Sequence, residues 1–222
     1  MTHFETEPTI YVVDDDDAVR DSLAELMDSV GHQVETYPSA TAFLNQLNPD
    51  RPGALILDIR MPGMSGLELQ DHLNQRNIAL PIIFVTGHGD VPMAVQAMQH
   101  GAAEFLQKPF RDQDLLDRIE HALARDAERR SATDERRQIQ QRIDVLTDRE
   151  REVLEMIVTG KANKVIAIDL GISQRTVEIH RARVMEKMQV GTLAELVTAV
   201  LKIRCNRADS DVLNYTLEGT NQ

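Results

Sequence analysis

The chain has 222 residues, 42% of them hydrophobic, which is enough for two domains with their own apolar cores. Its one cysteine, Cys205, excludes an intrachain disulfide, and no cysteine and histidine cluster has the spacing of a zinc site. The net charge of −12 is unevenly distributed. Residues 1–126 hold 8 basic and 21 acidic residues, whereas residues 147–207 hold 11 basic and 8 acidic. An anionic partner therefore suits only the second half of the chain.

The N-terminal segment MTHFETEP has neither the basic region nor the apolar stretch of a signal peptide. No window of the sequence approaches 18 uninterrupted apolar residues, so no membrane span is predicted. These features predict a cytoplasmic protein whose residues 1–8 are disordered.

Five short apolar runs follow one another in the first half. They are TIYVV (9–13), QVETY (33–37), ALIL (54–57), PIIFV (81–85) and EFLQ (104–107). Between them, apolar residues recur every three or four positions, as in helices. Strands that alternate with helices form right-handed βαβ units. Residues 9–126 are therefore predicted to form an α/β domain, a doubly wound five-stranded parallel sheet with helices on both faces.

Residues 127–146 are predicted to form a charged linker. The helical pattern of the first domain continues past Leu123, but from Asp126 to Gln138 charges dominate and large apolar side chains are almost absent. One long, exposed helix running out of the first domain is the favoured interpretation. A flexible linker is the alternative.

A small all-α domain of four helices is predicted over residues 147–205. Thr147 and Glu150 have the spacing of a capping box, which opens the first of these helices. Gly171 ends the second helix, and Ser173 caps the third. The remaining residues, 206–222, show no period and are predicted to be disordered.

Chemically reactive side chains follow the predicted strands. In open α/β sheets, functional groups collect beyond the carboxyl ends of the strands. Three carboxylates, a hydroxyl and an ammonium would meet there: Asp14 and Asp15 after the first strand, Asp58 after the third, Thr86 at the fourth and Lys108 after the fifth.

Three carboxylates at one edge repel one another unless a cation compensates them. Mg²⁺ suits this role because it binds oxygen ligands, commonly one or two carboxylates with waters and a phosphoryl oxygen. Asp58 could then act as a nucleophile and form an aspartyl phosphate. The Thr86 hydroxyl and the Lys108 ammonium would bind the other phosphoryl oxygens. Asp16 and Asp17, in contrast, are interpreted as acids that complement a helix dipole.

Several motifs resemble those of two-component receiver domains: VVDDDD (12–17), LDIRMPGMSG (57–66), FVTGHGD (84–90) and FLQKPF (105–110). LTDREREVL (146–154) and NKVIAIDLGISQRTVEIHRARVMEKM (163–188) resemble the LuxR-type helix-turn-helix output domain of the FixJ/NarL family. The resemblance covers about 195 of the 222 residues. It implies a response regulator, a phosphoprotein of a phosphorelay with a flavodoxin-like or CheY-like receiver that controls transcription.

The resemblance also implies roles for individual residues. Asp58 would be the phosphate acceptor, and Thr86, Lys108 and Phe105 the phosphoryl-binding and switch residues. The implied Mg²⁺ ligands are Asp14, Asp15, Asp58 and the backbone carbonyl of Arg60. The Lys108–Pro109 peptide is expected to be cis. The candidate dimer face carries Met93, Val95, Met98 and Gln99, with plain core packing as the alternative interpretation.

The third helix of the second domain is predicted to bury Val177, Val184 and Met188. Its opposite face carries the positions that the resemblance assigns to base reading in the major groove: Glu178, Ile179 and Ala182. The residues better placed for DNA phosphates are Lys161, Lys164, Arg175, Thr176, Arg181 and Arg183.

The implied partners are a sensor histidine kinase, double-stranded DNA and, after phosphorylation, a second copy of the chain, with RNA polymerase as a further candidate. The chain is not expected to be a turnover enzyme. It is expected to lose its own phosphate slowly. An Mg²⁺-dependent phosphatase fits less well, because its nucleophile lies on the first strand and no cap domain is present. The principal alternative is a receiver-fold interaction module, independent of phosphorylation, with the same DNA-binding output. A dinucleotide site is excluded because no G-x-G-x-x-G follows the first strand.

Overall fold

The computed structural model describes residues 7–87 and 91–204. The predictions for the N-terminal six residues, for part of the loop 86–90 and for the tail 206–222 therefore lie outside the described residues. The chain divides into two compact units between Arg130 and Ser131. No helix of the described part is long and apolar enough to cross a membrane.

The first unit is built on a parallel sheet of five strands in the order β2-β1-β3-β4-β5. The strands are β1 (Thr9–Val13), β2 (Gln33–Tyr37), β3 (Gly53–Leu57), β4 (Ile82–Thr86) and β5 (Glu104–Gln107). The helices that follow them are α1 (Asp17–Ser29), α2 (Ala40–Gln46), α3 (Gly66–Gln75), α4 (Val91–Gln99) and α5 (Asp112–Asp144). The predicted α/β fold is confirmed. Strand order reverses between β1 and β3, where such folds place their functional sites.

Successive side chains of each central strand serve two different cores. Leu55 and Phe84 pack on one face of the sheet, whereas Ile56 and Ile83 pack on the other. Every residue of β1, β3 and β4 is buried. Strands covered by helices on both faces have continuous apolar sequences, which is why these runs are apolar without alternation.

Local sequence signals fix the helix starts nearest the carboxyl edge of the sheet. Asp16 is the N-cap of α1 and accepts a hydrogen bond from that helix's first turn. Ser65 and Glu68 form a capping box at the start of α3. The residue after Ser65 is Gly66, where a side chain is excluded because a Cβ would lie 2.3 Å from the backbone oxygen of Asp58. The turn after β3 therefore brings α3 directly against the Asp58 backbone.

The second unit is helical, with α6 (Asp148–Val158), α7 (Asn163–Leu170), α8 (Gln174–Met188) and α9, which spans residues 193–204 of the described chain. The predicted capping box of Thr147 and Glu150 is present. Gly171 ends α7 in the left-handed conformation with φ of 63°, and Ser173 caps α8. These features confirm the helix ends predicted from the sequence.

The residues predicted as a linker, 127–146, belong to the two units rather than standing between them. α5 runs without a break to Asp144, and its last part joins the core of the second unit. Ile139 and Leu146 are each 4% exposed, and Ile143 is partly buried. Residues 127–138 are helical and mostly exposed, as expected. The expectation of an exposed linker is wrong only for residues 139–146, because isolated apolar residues in a charged stretch give too weak a periodic signal.

Candidate functional site

Two acids and a threonine are buried at the carboxyl edge of the sheet. Asp14 is 5% exposed, Asp58 is 8% exposed and Thr86 is 1% exposed. The sheet itself positions Asp58, because its backbone N–H donates to the carbonyl of Val13 at 2.9 Å. Buried carboxylates are costly unless they are paired, so the cations around them decide what this site can do.

Lys108 supplies an ammonium to both carboxylates. Its Nζ lies 2.8 Å from Oδ2 of Asp14 and 3.8 Å from Oδ1 of Asp58. The backbone N–H of Lys108 donates to the carbonyl of Thr86 at 2.9 Å, and the Lys108–Pro109 peptide is cis. The end of β5 therefore places the ammonium beside Asp14 and within reach of Asp58.

Asp58 remains incompletely compensated. Burial raises the pKa of its carboxyl above the usual range, and the charge of Asp14 adds to this effect. A hydrogen bond from the backbone N–H of Arg60 to Oδ2, at 2.7 Å, opposes the rise, as do Lys108 and the Thr86 hydroxyl. Burial therefore disfavours the ionised carboxyl of Asp58, and the Lys108 ammonium lies closer to Asp14 than to Asp58.

Asp14, in contrast, is held by several donors. Its Oδ1 accepts a hydrogen bond from the backbone N–H of Asp16 at 2.9 Å, and its backbone oxygen accepts one from Arg20 at 2.7 Å. Arg20 also pairs with Asp17. Sequence reasoning missed Arg20, although its spacing of three from an acid on a helix is a readable signal.

Asp15 is exposed and lies beside a cleft of about 510 Å³ that is also lined by Arg60, Met61 and Met93. Within the described ranges, no three acidic, histidine or cysteine side chains form a preassembled metal site. Mg²⁺ requires less, since one or two carboxylates are enough when waters complete its coordination. Asp14 and Asp58 provide such oxygen donors, so the residues present fit Mg²⁺.

The switch candidates lie on β5 and α4. Phe105 pairs with Phe84 in the strand register and is partly buried against the core. Val95 and Met98 are 48% and 46% exposed and line a cleft of about 410 Å³ with Ala94 and Gln99. Met93 packs against the core instead. Core packing therefore explains Met93 but not Val95 or Met98.

α8 presents the two faces that its sequence predicts. Val177, Val184 and Met188 are almost completely buried. Ile179 is 47% exposed, and Glu178 and Ala182 are also exposed. The second helix of the helix-turn-helix thus offers an outward face that combines one apolar, one small and one acidic side chain.

The basic residues of the second unit differ in whether they already form an ion pair. In the part of the second unit that the structure describes, no ion pair engages Lys164, Arg175, Arg181 or Arg183. Lys161 is paired instead, with Nζ 2.8 Å from the carboxylate of Asp169. The Thr176 hydroxyl lies 2.8 Å from that of Ser173. Among the described residues, three cations of α8 and one of α7 are therefore free of ion pairs.

An ion pair anchors the C-terminal end of α8. Lys187 Nζ lies 2.6 Å from Oε2 of Glu150, which is 2% exposed. The hydrogen bond from Lys187, supported by those from Thr147, lowers the pKa of Glu150 to about 2. Arg142 of α5 donates to the carbonyl of Met188 at 3.3 Å. The sequence identified Glu150 only as a capping residue and gave no signal for these long-range partners.

Comparison with known proteins agrees with this two-unit organisation. Residues 10–120 match the family model of the response regulator receiver domain. Residues 144–200 match that of the bacterial regulatory proteins of the luxR family.

Relatives match over nearly the whole chain. The transcriptional regulatory protein FixJ of Azorhizobium caulinodans is 51% identical over 192 residues, which cover 86% of this chain and 91% of the relative. Nodulation protein W of Bradyrhizobium diazoefficiens is 44% identical, over 88% and 86% of the two chains. The solved structure of the response regulator StyR has a TM-score of 0.82 at 49% identity, over 88% of this chain and 99% of that one. Full-length FixJ from B. japonicum has a TM-score of 0.55 at 42% identity, over 90% and 98%. This chain belongs to the FixJ-like response regulators, which join a receiver domain to a LuxR-type DNA-binding domain and regulate transcription.

Proposed function

We propose that a sensor histidine kinase phosphorylates Asp58 in a Mg²⁺-dependent reaction, and that the phosphate promotes dimerisation and sequence-specific DNA binding. The incomplete compensation of Asp58 carries this proposal. Its carboxyl is 8% exposed with a pKa raised by burial, while the Lys108 ammonium lies closer to Asp14. A buried carboxylate short of positive charge is suited to a reaction that brings a cation and a phosphoryl group to it.

In the transfer step, an oxygen of Asp58 attacks the phosphorus atom. A P–O bond forms as the P–N bond to the kinase histidine breaks, and the electron pair of that bond stays on the histidine nitrogen. Lys108 shifts from Asp14 toward a phosphoryl oxygen, and the Thr86 hydroxyl donates to another. When bound, Mg²⁺ supplies positive charge to the phosphoryl oxygens. The residues that would hold it are Asp14, Asp15, Asp58 and the backbone carbonyl of Arg60.

Phosphorylation adds roughly 1.5 to 2 negative charges to the site. The Thr86 hydroxyl moves toward this charge, and Phe105 turns into the space that it leaves. The phosphate thereby favours one of two states that the receiver already samples. We assign the dimer contact to the α4 face around Val95 and Met98, because exposed apolar side chains beside a cleft suit a second copy of the same surface.

On DNA, we assign base reading to Glu178, Ile179 and Ala182, with Ile179 against a thymine methyl group. The residues assigned to phosphates are Lys164, Arg175, Thr176, Arg181 and Arg183, together with Lys161 once it leaves Asp169. A single mildly basic unit attached to an acidic receiver should bind DNA weakly at physiological salt. Dimerisation makes the second half-site contact intramolecular and so raises the avidity.

The same proposal includes a cytoplasmic location, RNA polymerase as a further partner, and slow loss of the phosphate without substrate turnover. Membership of the FixJ-like response regulators supports each of these three points.

The full chain treated with phosphoramidate and Mg²⁺ tests the proposal. We expect a phosphate on Asp58, a dimer in sedimentation velocity, and enrichment of a two-half-site sequence from random DNA. The Asp58→Asn variant should show none of these responses. Equal phosphate-dependent dimerisation of wild type and variant would contradict the assignment of Asp58, and equal phosphate-independent dimerisation would favour the interaction-module alternative.

A further inference from the structure

α4 has little apolar packing over the part whose side chains the structure describes. From Pro92 to Gln99, only Ala97 is fully buried, and Met93 and Ala94 are partly buried. The stabilisation from apolar burial scales with the area removed from water. Apolar packing therefore holds α4 weakly, and polar contacts have a larger share in fixing its position.

Three polar side chains of α3 contact the C-terminal end of α4. Gln70 Nε2 donates to the carbonyl of Ala97 at 3.0 Å, and Asn74 Nδ2 donates to the carbonyl of His100 at 2.9 Å. Asp71 Oδ1 lies 2.8 Å from His100 Nδ1. We call the two amide residues among them, Gln70 and Asn74, the α3–α4 clamp. Their spacing places them on one side of α3, so they act together on one end of α4.

The clamp binds a helix end that is already complete by itself. Gly101, with φ of +89°, follows the helix, and the backbone N–H of Ala102 donates to the carbonyl of Ala97 at 3.0 Å. The Ala97 carbonyl would therefore keep a partner if Gln70 were replaced. Loss of the clamp should free the position of α4 without unfolding its last turn.

Gln70 is a poor choice for stability alone. It is 1% exposed, and its Oε1 has no hydrogen-bond partner among the residues that the structure describes. A leucine would occupy similar space without a buried unpaired oxygen. The amide instead provides a directional contact that fixes the end of α4 against α3.

We propose that Gln70 and Asn74 are positioning residues of the phosphorylation switch. Through the carbonyls of Ala97 and His100 they hold α4 in its unphosphorylated position, so that the dimer face around Val95 and Met98 stays inactive until Asp58 carries phosphate. This inference rests on the proposed function. It adds an opposing contact at the far end of α4 from Thr86, so the phosphate must overcome the clamp to move the helix.

The double variant Gln70→Leu, Asn74→Ala tests the inference in the full chain. Without phosphodonor we expect its dimer dissociation constant to fall about tenfold, because two hydrogen bonds that favour only the unphosphorylated position are lost. With phosphoramidate and Mg²⁺ the constant should stay within about twofold of wild type. Amide hydrogen exchange over residues 94–99 should stay close to wild type, because α4 changes its position while its own hydrogen bonds remain. Sedimentation equilibrium and mass spectrometry measure these quantities.

Gln75→Leu is the matched control, because Gln75 is exposed on the same helix and lines a cleft with Gly63 and Met64 rather than contacting α4. It should behave as wild type. A general loss of stability in the double variant would weaken its dimer both without and with phosphodonor. The ratio of the two dissociation constants would then equal that of wild type, and this result would overturn the inference. If the double variant does not fold, Asn74→Ala alone, at an exposed position, should show the same direction with about a threefold change.

The wild-type response separates the two proposals. A wild-type chain that dimerises equally with and without phosphodonor overturns the proposed function and the clamp with it. The clamp alone is overturned if the wild type responds to the phosphodonor and the double variant shows the same ratio of dimer dissociation constants without and with it.

Discussion

Two clusters of buried charge lie at opposite edges of the same sheet, and they are compensated differently. At the carboxyl edge, Asp14 and Asp58 share the single ammonium of Lys108. At the amino edge, the one carboxylate of Asp126, 2% exposed, accepts hydrogen bonds from two guanidinium groups, those of Arg129 and Arg130. One cluster has more acids than bases, and the other has more bases than acids.

The amino-edge cluster is also bonded to the backbone. Arg130 donates to the carbonyls of Asp50 and Arg51, each at 2.8 Å, and the N–H of Gly53 donates to Asp126 at 3.4 Å. This buried acid and its arginines therefore tie the middle of α5 to the loop before β3. The Lys108 ammonium lies closer to Asp14 than to Asp58, so Asp58 can be completed by an incoming cation and phosphoryl group. The comparison separates a structural carboxylate from a reactive one.

The largest expected effect is on Asp126. Asp126→Asn should lower the free energy of unfolding by about 2 kcal/mol, because it weakens the charge-assisted hydrogen bonds that the buried carboxylate accepts from Arg129 and Arg130. Urea denaturation followed by circular dichroism measures the change. Asp134→Asn, at an exposed position on the same helix, is the control and should change stability by less than about 0.5 kcal/mol. If Asp126→Asn also changed the free energy of unfolding by less than about 0.5 kcal/mol, the carboxylate of Asp126 would not have the structural role that distinguishes it from Asp58.

Mg²⁺ should act on one edge only. At a concentration tenfold above its dissociation constant, it should stabilise the unphosphorylated chain by about 1.4 kcal/mol, because it binds the folded state. Asp14→Asn should remove most of this gain, since it removes an oxygen charge from the proposed site. Thermal unfolding with and without MgCl₂ provides the measurement. Equal stabilisation of both chains would show that Mg²⁺ binds elsewhere.

Asp58→Asn should change stability in the opposite direction from Asp126→Asn. Removal of an incompletely compensated charge should raise the free energy of unfolding by about 1 kcal/mol, because burial already disfavours the ionised carboxyl. The same urea experiment in the absence of Mg²⁺ measures it. If Asp58→Asn and Asp126→Asn destabilised the chain equally, the buried carboxylates at the two edges of the sheet would not differ in how they are compensated.

The smallest effect concerns Glu150, a donor-rich carboxylate of the second unit. Its pKa of about 2 in the folded chain lies below the usual 4.5, so its contribution to stability is complete above pH 4.5 and is lost as the pH falls toward 2. The contribution should be about 1 kcal/mol or less, because its partner Lys187 is 34% exposed and solvent screens the pair. Lys187→Met should flatten this part of the stability profile relative to wild type. Unchanged acid sensitivity in that variant would contradict the role of the pair.

Local signals made much of the fold predictable. The apolar runs gave the five strands, and Thr147 with Glu150 gave the start of α6, because strands and caps depend on residues near in sequence. The meeting of Asp14, Asp58, Thr86 and Lys108 followed from a rule of topology. In these cases the sequence pattern contained the information that the prediction needed.

Contacts between distant residues were not predictable in the same way. Gln70 reaches a carbonyl 27 residues away, and Arg130 reaches carbonyls about 80 residues away. Neither partner is a side chain, so no residue type marks it in the sequence. Ile139 was missed for a related reason, since a single apolar residue in a charged stretch shows which face it buries only when a partner is present.

Gly66 has a consequence for how this chain tolerates mutation. No side chain fits there, since a Cβ would lie 2.3 Å from the Asp58 backbone oxygen. A scan of all substitutions scored by transcription output alone would find positions 58 and 66 equally intolerant. Scored also by protein abundance, the two would separate: variants of Gly66 should disappear from the cell, whereas Asp58→Asn should accumulate in full and remain unresponsive.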